Sequence, residues 1–385
     1  MEVPEIGVVT TIKGKCRECY ACVRNCPVKA IKVEDGQATV IDELCISCGY
    51  CVRVCAQNAK HIREDLVSVK NALRTGEAYA LLAPAFAVEF HGELRPGQVV
   101  TALKEIGFQG VYEVAWGAER VTQEYMRIIQ GEHELGIIST PCPAIVNLVE
   151  VKYPQLIPRL VPVVSPMVAA GRMIKKELKG AYTVFIGPCV AKKSEMLDPS
   201  VADAIDAVLT FPELRMLLEE LPIECRDLSD TAFDRDEAYL GRLYPVSGGL
   251  LRSAALSADM VDNEILIVEG KDNCIDFLEA LSREKDCPEF VDMLFCEGCI
   301  SGPMMTTDLP SYTRRVVAVD FAKQSKRRGS SIGPVEPRFP QIEAARKFSP
   351  RSIDMPIPTE EDIKRILLEL DKIRPEDELN CGACG

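Results

Sequence analysis

The stretch Cys16-Arg-Glu-Cys19-Tyr-Ala-Cys22-Val-Arg-Asn-Cys26-Pro27 separates four cysteines by two, two and three residues and follows the last with proline. The same gaps recur at Cys45, Cys48, Cys51 and Cys55, where Ala56 replaces the proline. Thiolates are soft ligands suited to iron–sulfur cubes, and these short loops let three sulfurs converge on one cube while the fourth reaches another. The repeated spacing therefore predicts two [4Fe–4S] clusters near the amino terminus.

The two runs are expected to exchange their last cysteines. One cluster is assigned to Cys16, Cys19, Cys22 and Cys55, and the other to Cys45, Cys48, Cys51 and Cys26. A pair of zinc knuckles is the competing interpretation, and the crossed pattern ending in Cys-Pro argues against it. Residues 8–63 thus resemble a bacterial two-cluster ferredoxin. That resemblance implies a small α+β domain, placed at residues 1–63, which moves single electrons.

The composition excludes several classes of protein. The chain has 385 residues, room for two or three domains, and a formal net charge of −13. This balance argues against nucleic acid or an anionic membrane as partner, because both need a positive field. No run approaches roughly 18 apolar residues and no secretion leader is recognised, so we expect a cytoplasmic protein. The 17 cysteines, many at two-residue gaps, indicate metal ligation rather than disulfides.

Short apolar runs alternate with amphipathic stretches in the middle of the chain. The stretches include 98–106, 119–129 and 212–220, which predict helices. Buried strands are predicted at 78–83, 110–115, 135–139, 182–187, 265–268, 291–295 and 316–319. This alternation predicts an α/β body of two lobes, residues 64–350, with largely parallel sheets flanked by helices.

Four further cysteines follow predicted strands in loops that contain glycine or proline. Cys142 follows the run at 135–139, Cys189 follows 182–187, and the pair Cys296 and Cys299 follows 291–295. Ligands in α/β folds bind beyond the carboxyl ends of strands, so these thiolates can enclose one cube between the lobes. The sequence therefore predicts a third [4Fe–4S] cluster in the body.

The three cysteine segments resemble those of the [FeFe]-hydrogenase catalytic domain, with a likeness that spans about residues 75–345. Further matches are Ala83-Pro84-Ala85, Trp116-Gly117-Ala118, Val163-Val164-Ser165-Pro166 and Ser247-Gly248-Gly249-Leu250. The resemblance implies an H-cluster, in which the cube joins a two-iron unit carrying CO, cyanide and an amine dithiolate. It implies Cys142, Cys189, Cys296 and Cys299 as ligands, with Cys299 as the bridge. Lys192 would donate to a cyanide, Glu195 matches the acidic residue that follows it, and Ala83, Pro84 and Ala85 would line the cofactor.

The chain departs from this family where protons are relayed. Pro141 stands where hydrogenases with high turnover have a proton-relaying cysteine, and proline has neither an ionisable side chain nor an N–H. Counting from Cys142 places the other relay positions on Tyr125, Ile128 and Val161. Only two residues separate Cys296 from Cys299, whereas the family has three. These differences favour the sensory branch of the family, in which slow chemistry is sufficient.

The last residues, 351–385, are expected to form a helix at about 359–374, with its apolar stripe in the core, and the start of another cluster motif. Cys381-Gly-Ala-Cys384 supplies only two thiolates, and a cube needs four. We therefore expect a further cluster domain and a signalling module beyond Gly385. Cys225, Cys274 and Cys287 match no ligand segment and are interpreted as ordinary thiols.

The leading hypothesis is a hydrogen or redox sensor with slow H2 ⇌ 2H⁺ + 2e⁻ chemistry. Its expected partners are H2, protons, a ferredoxin or other redox protein, and the maturation proteins that insert the two-iron unit. A homodimer is compatible with the sequence. The alternative is an electron-transfer or redox-sensing protein that carries [4Fe–4S] clusters only and never receives the two-iron unit.

Overall fold

The computed structural model describes residues 7–129, 131, 137–235, 238–256, 265–283, 288–327, 340–351 and 358–377. Its strands are β1 (Val9–Thr11), β2 (Ile31–Glu34), β3 (Gln37–Val40), β4 (Lys60–Ile62), β5 (Ala78–Leu82), β6 (Gly110–Glu113), β7 (Ile137–Ile138), β8 (Tyr182–Gly187), β9 (Ala207–Thr210), β10 (Ile265–Glu269) and β11 (Phe290–Leu294). Its helices are α1 (Ala21–Asn25), α2 (Tyr50–Arg53), α3 (Leu66–Thr75), α4 (Phe86–Glu89), α5 (Pro96–Ile106), α6 (Val114–Ile129), α7 (Pro143–Lys152), α8 (Pro166–Glu177), α9 (Ala191–Met196), α10 (Phe211–Glu219), α11 (Gly249–Ser253), α12 (Lys271–Arg283), α13 (Ser311–Arg327) and α14 (Glu360–Glu369).

A four-stranded parallel sheet in the order β6-β5-β8-β9 forms the centre of one lobe. Both faces of this sheet are covered, as a parallel sheet requires. Ala80 and Leu82 of β5 pack with α3, α5 and α10, while Leu81 packs on the opposite face with α6 and α8. Burial on both faces explains why β5 and β8 are continuous apolar runs rather than alternating ones.

A three-stranded parallel sheet in the order β10-β11-β7 forms the second lobe. Its central strand, β11, is buried along its whole length. The carboxyl ends of β7 and β11 lie at the same edge, because the strands are parallel neighbours. Segments that follow these two strands therefore start close together.

The amino-terminal domain is built from two antiparallel pairs, β1 with β4 and β2 with β3. Its apolar residues share one core with the three-stranded lobe: Val23, Ile31 and Ile46 belong to the same buried cluster as Leu148 and Phe295. The domain is thus packed firmly onto the body, on the side of the smaller sheet.

The predicted fold class is confirmed: helices flank parallel sheets in the body, and a small α+β domain precedes them. The strand predicted at 316–319 is wrong. These residues lie inside α13, where Ala318, Phe321 and Ala322 are buried at helical spacing. Strand β9 was not predicted. In the described part of the chain, no helix combines the length and apolarity needed to cross a bilayer.

The carboxy-terminal helix also differs from expectation. It is shorter than 359–374, and its apolar stripe is exposed rather than part of the core: Ile363 and Ile366 are 40% and 47% accessible. The two cysteines of the predicted cluster motif, Cys381 and Cys384, lie outside the described residues, as does Cys287.

Candidate iron–sulfur centres

Two small cavities in the amino-terminal domain are each lined by four cysteines. One cavity is lined by Cys16, Cys19, Cys22 and Cys55. The other is lined by Cys26, Cys45, Cys48 and Cys51. Each set combines three cysteines of one run with the last cysteine of the other run, which is the donor set of a two-cluster domain.

The cysteine loops repeat their backbone conformation as well as their sequence, with an offset of 29 residues. Glu18 and Tyr20 have positive φ in the first run, and Ser47 and Gly49 have positive φ at the matching positions of the second. The backbone N–H of Ala30 donates to Cys26 Sγ at 3.2 Å, and that of Ala59 donates to Cys55 Sγ at 3.3 Å. Such N–H donors stabilise thiolate charge and tune cluster potentials.

Lys60 places a cation beside the first cavity, which it also lines. Its side chain is buried, and Nζ donates to Thr11 Oγ1 at 2.6 Å and to the Ala38 carbonyl at 3.2 Å. Burial opposes ionisation of the Cys16 thiol, but N–H donors from Glu18 and Ala38 and the charge of Lys60 outweigh it and lower the pKa of Cys16. Lys60 therefore favours negative charge in this cavity.

Elements from both lobes position the four body cysteines. Cys142 caps the amino terminus of α7 just after β7, and Cys189 lies between β8 and α9. Cys296 follows β11 by one residue, and Cys299 opens the turn Cys299–Ser301. All four are free thiols in partly buried positions.

The four thiols lie within electrostatic range of one another. Burial, together with repulsion from Cys142, Cys189 and Cys299, raises the pKa of Cys296 well above its ordinary value. Burial and the charge of Cys142 likewise raise the pKa of Cys189 to about 11, although Lys192 opposes the change. Converging thiolates in a poorly solvated place need compensating metal charge, and binding iron would displace their protons.

A single metal ion and a cluster place different requirements on their ligands. Among the described residues, no three His, Cys, Asp or Glu side chains surround one point closely enough to bind a lone metal. Structural zinc requires four ligands around one ion. The cysteines of a [4Fe–4S] cube each bind a different iron, so their sulfurs stand farther apart.

The shortened segment between Cys296 and Cys299 forms a tight turn around Gly298. Gly298 has φ +72°, and its N–H donates to the Cys296 carbonyl at 2.8 Å. A Cβ atom at this position would lie 2.7 Å from the Pro245 carbonyl oxygen. Glycine is therefore required here, because it alone combines positive φ with the close approach of another backbone.

Lys192 and Glu195 form the centre of a buried polar network beside the body cysteines. Lys192 Nζ donates to Ser165 Oγ at 2.8 Å and to Glu195 Oε2 at 2.7 Å. Arg346 Nη1 donates to the other carboxylate oxygen, Oε1, at 2.7 Å. Within the described parts of the chain, the third N–H of Lys192 makes a long contact of 3.5 Å with the Pro141 carbonyl. A fixed ammonium with one weakly engaged donor suits an anionic ligand.

The polar groups next to Pro141 are hydrogen-bonded to one another. The Tyr125 hydroxyl accepts from the Thr140 N–H at 2.7 Å and lies 2.9 Å from Thr140 Oγ1. Thr140 Oγ1 in turn donates toward the Val161 carbonyl at 2.9 Å. Burial raises the pKa of Tyr125, which keeps this phenol neutral. No acidic side chain takes part in these bonds.

Ala83, Pro84 and Ala85 follow β5 at the same sheet edge from which the Cys189 loop departs. The Ala83 N–H donates to the Ile186 carbonyl at 2.9 Å. A Cβ on Gly187 would lie 2.9 Å from Ala83 Cβ and 2.8 Å from the Phe185 ring. The strand end next to Cys189 therefore has no room for a larger side chain at position 187.

The loop that lines the second amino-terminal cavity contacts all three body segments, which are those that contain Cys142, Cys189 and the pair Cys296 and Cys299. The Cys45–Cys51 loop meets the first segment through Asn147, whose Nδ2 donates to the Ile46 carbonyl at 3.1 Å. A Cβ on Gly49 would lie 2.8 Å from both Val190 and Pro303, which belong to the second and third segments. The Tyr50 and Phe295 rings also meet edge to face, with centroids 6.0 Å apart.

Sequence reasoning missed two charged residues of these sites. Lys60 reaches the first cavity from β4, and Arg346 reaches Glu195 from 151 residues further along the chain. Neither residue belongs to a spacing motif. Cys274 is buried and donates its S–H to the Leu294 carbonyl at 3.4 Å, as expected for an ordinary thiol.

The fold and the cysteine segments define an iron–sulfur protein, and comparison with known families agrees. A family model described as the iron only hydrogenase large subunit, C-terminal domain, matches residues 77–303. A model described as a 4Fe-4S dicluster domain matches residues 9–56. The chain therefore belongs to the iron-only, or [FeFe], hydrogenase large-subunit family.

Individual relatives are distant. Iron hydrogenase 1 of Clostridium pasteurianum is 24% identical over 61% of this chain and 51% of its own length. The periplasmic [Fe] hydrogenase large subunit of Nitratidesulfovibrio vulgaris is 28% identical over 63% of this chain and 65% of its own length. The cytosolic Fe-S cluster assembly factor NAR1 of Kluyveromyces lactis is 26% identical over 40% of this chain and 35% of its own length.

Solved structures share the fold at low sequence identity. A variant of the [FeFe]-hydrogenase HydA1 from Chlamydomonas reinhardtii superposes with a TM-score of 0.55 at 18% identity, covering 75% of this chain and all of that one. A structure that describes stepwise [FeFe]-hydrogenase H-cluster assembly superposes with a TM-score of 0.57 at 18% identity, again covering 75% of this chain and all of that one. At this identity the likeness concerns the fold.

Proposed function

We propose that this chain is a hydrogen or redox sensor of the [FeFe]-hydrogenase type, with three cubes and slow interconversion of H2 with protons and electrons. One observation carries the proposal: Cys142, Cys189, Cys296 and Cys299 converge from three segments next to the second amino-terminal cavity. In their family, these segments hold the H-cluster. The domain limits of 1–63, 64–350 and 351–385 and a cytoplasmic location are part of the proposal.

The proposed electron route runs from the surface to the body. Cys19 is exposed, so the first amino-terminal site is the place where a ferredoxin or other redox protein would deliver or collect electrons. The second site lies inward and contacts each body segment. The shared apolar core holds these sites in fixed positions, which favours electron transfer because little reorganisation is needed.

The body residues would hold and orient the reactive group. When bound, the cubes supply one-electron chemistry, and a two-iron unit, inserted by maturation proteins, supplies H2 cleavage and formation. Cys142, Cys189, Cys296 and Cys299 bind the inorganic core, and Lys192 offers an N–H to an anionic ligand. Glu195 and Arg346 hold Lys192 in place, and Ala83, Pro84 and Ala85 close the apolar wall beside Cys189.

Slow turnover is expected from the residues near Cys142. Pro141 can neither accept nor donate a proton, and the neutral Tyr125 is engaged with Thr140. General acid–base transfer is typically worth 10²–10⁴-fold in rate, so its loss slows chemistry without preventing hydrogen binding. A sensor needs a redox change on binding H2 rather than a high rate.

A second candidate is an electron-transfer or redox-sensing protein that holds only cubes. Pro141 and the short spacing between Cys296 and Cys299 favour it, because both depart from the segments that hold the H-cluster in the family. The similarity to proteins named cytosolic Fe-S cluster assembly factors also favours it, because their name does not describe a hydrogenase.

Infrared absorption decides between the two candidates. The protein is reconstituted with its cubes, treated with a synthetic two-iron precursor and washed. The sensor proposal predicts CO and cyanide stretching bands, which weaken in Lys192→Met and are unchanged in the control Lys175→Met, a lysine that pairs with Asp206. If protein with its full complement of cubes shows no such bands, the cubes-only candidate is correct.

A further inference from the structure

Asp292 is a buried carboxylic acid with one unpartnered oxygen. It lies in the middle of β11 and is 3% accessible. Its Oδ1 accepts a hydrogen bond from Ser139 Oγ at 3.3 Å. Its Oδ2 is buried and has no hydrogen-bond partner among the described residues. An ionised carboxylate in this position would be poorly stabilised, because burial without partners disfavours the charged form.

The groups that face Asp292 do not compensate a negative charge. They are Glu269 on the adjacent strand β10, Tyr125 on α6, Tyr244 after the turn Leu240–Leu243, and Cys299. None of these described neighbours is a cation. Burial, opposed by the Ser139 hydrogen bond and reinforced by Glu269, raises the pKa of Asp292 to about 7. Both protonation states are therefore accessible near neutral pH.

Asp292 is also electrostatically linked to the body cysteines. It begins the sequence Asp292-Met-Leu-Phe-Cys296, so β11 joins it rigidly to a cluster ligand. The charge of Asp292 acts on the Cys299 thiol. Because interaction between two charges is reciprocal, negative charge added at the cysteine site must favour the protonated form of Asp292.

We propose that Asp292 is an internal proton acceptor, whose carboxylate takes up one proton for each electron that enters the body cluster. Asp292 can do so only if the third cube of the proposed function is present. The electron comes from a low-potential one-electron donor, and the proton comes from solvent. One O–H bond forms on Oδ2 as one O–H bond of the donating solvent molecule breaks, and no other covalent bond of the protein changes. Asp292 thus holds a proton on β11, four residues before Cys296.

The test measures the midpoint potential of the body cluster as a function of pH. Reconstituted protein without the two-iron unit is titrated with dithionite under electron paramagnetic resonance between about pH 6 and about pH 9. In the wild type the midpoint potential falls as pH rises. The slope of potential against pH corresponds to the uptake of at most one proton per electron. In Asp292→Asn, which keeps the shape without the acid, it does not change with pH. The exposed Asp276→Asn on α12 is the control and follows the wild type.

Ser139→Ala gives a second, directional result. Loss of the Ser139 hydrogen bond to the carboxylate raises the pKa of Asp292 further, so the pH-dependent range moves upward. Should Asp292→Asn fail to fold, infrared difference spectra of the wild type decide: reduction must produce a carboxylic C=O band. Absence of that band, or equal pH dependence in wild type and Asp292→Asn, overturns the proposal. Absence of any third cluster signal contradicts the proposed function and this role together.

Discussion

At the scale of single residues, the sites depend on a few buried ionisable side chains, of which the sequence motifs contain Lys192 alone. Lys60 lines the first amino-terminal cavity, Lys192 pairs with Glu195, and Asp292 is buried on β11. Each charge acts through a poorly solvated region, where electrostatic effects are larger than at the surface. Single substitutions here should change potentials and pH dependence more than they change the fold.

Lys60→Met should make the midpoint potential of the first amino-terminal cluster more negative. The buried ammonium stabilises added electron density, by on the order of 1–3 kcal/mol for charges several ångströms apart at an effective dielectric constant near 20. The control is Lys32→Met, which removes an exposed lysine paired with Glu34. Redox titration under electron paramagnetic resonance measures both, and equal potentials in the two variants would refute this role of Lys60.

Asp292→Asn should also change the pH dependence of stability. The folded-state pKa of Asp292 is raised above its ordinary value, to about 7, so the wild type loses stability as pH rises from about 4 through about 7. The variant lacks this loss, and its advantage over the wild type should grow to a few kcal/mol above about pH 7. Thermal unfolding of both proteins across pH measures it. Parallel curves would show that the carboxyl is stabilised by something else.

At the scale of elements, the contact between the second amino-terminal loop and the body segments is the most consequential feature. Tyr50 of α2 packs against Phe295, and Lys271 of α12 lies over the Tyr50 ring at 5.7 Å. The turn at Gly49 leaves no space for a side chain. Small changes in this loop should therefore alter both stability and electron transfer.

Gly49→Ala tests this contact against a matched control. Gly49 and Gly14 share a φ of +78°, so alanine strains both backbones equally. At Gly49 the new Cβ meets Val190 and Pro303 at 2.8 Å, whereas at Gly14 nothing lies within 4 Å. We expect Gly49→Ala to cost roughly 1–3 kcal/mol more than Gly14→Ala and to slow reduction of the body cluster. Thermal unfolding and stopped-flow reduction measure the two effects, and equal behaviour of the variants would contradict the contact.

Pro141→Cys should raise the rate of hydrogen chemistry in protein matured with the two-iron unit. A cysteine restores one proton-transferring group, and a gain of about tenfold or more is expected, below the full 10²–10⁴ because Tyr125 remains neutral. Pro141→Ala is the control, because it restores the N–H without an acid. Hydrogen–deuterium exchange measures the rate. An unchanged rate in Pro141→Cys would show that proton relay at this position does not limit turnover.

Local spacing and apolar runs were sufficient to predict much of the molecule at these two scales. The cysteine gaps predicted both amino-terminal ligand sets, which remain assignments, and uninterrupted runs predicted β5 and β8 because both strands are buried on two faces. The run at 316–319 is compatible with a strand or a helix, because it has only four apolar residues. Phe321 and Ala322, which lie beyond the run, are buried in the same helix, and the run is therefore helical. Arg346 and Asp292 were missed because their roles come from tertiary contacts alone.

At the scale of the whole molecule, the three candidate centres combine an exposed edge with a site built from loops of both parallel sheets. The first centre contains the exposed Cys19, the second contacts every body segment, and the third collects thiols from β7, β8 and β11. One apolar core joins the amino-terminal domain to the smaller lobe. This arrangement suits electron movement between a protein partner and a buried reaction site.

The most direct test counts iron and labile sulfide per chain in reconstituted protein. The wild type should hold about twelve irons, because three cubes contain four each. The double variant with Cys142→Ser and Cys189→Ser should hold about eight, while the control Cys225→Ser, a cysteine away from every candidate centre, should again hold about twelve. About eight irons in the wild type, or no loss in the double variant, would contradict the central claim that cysteines of three distant segments hold one cluster.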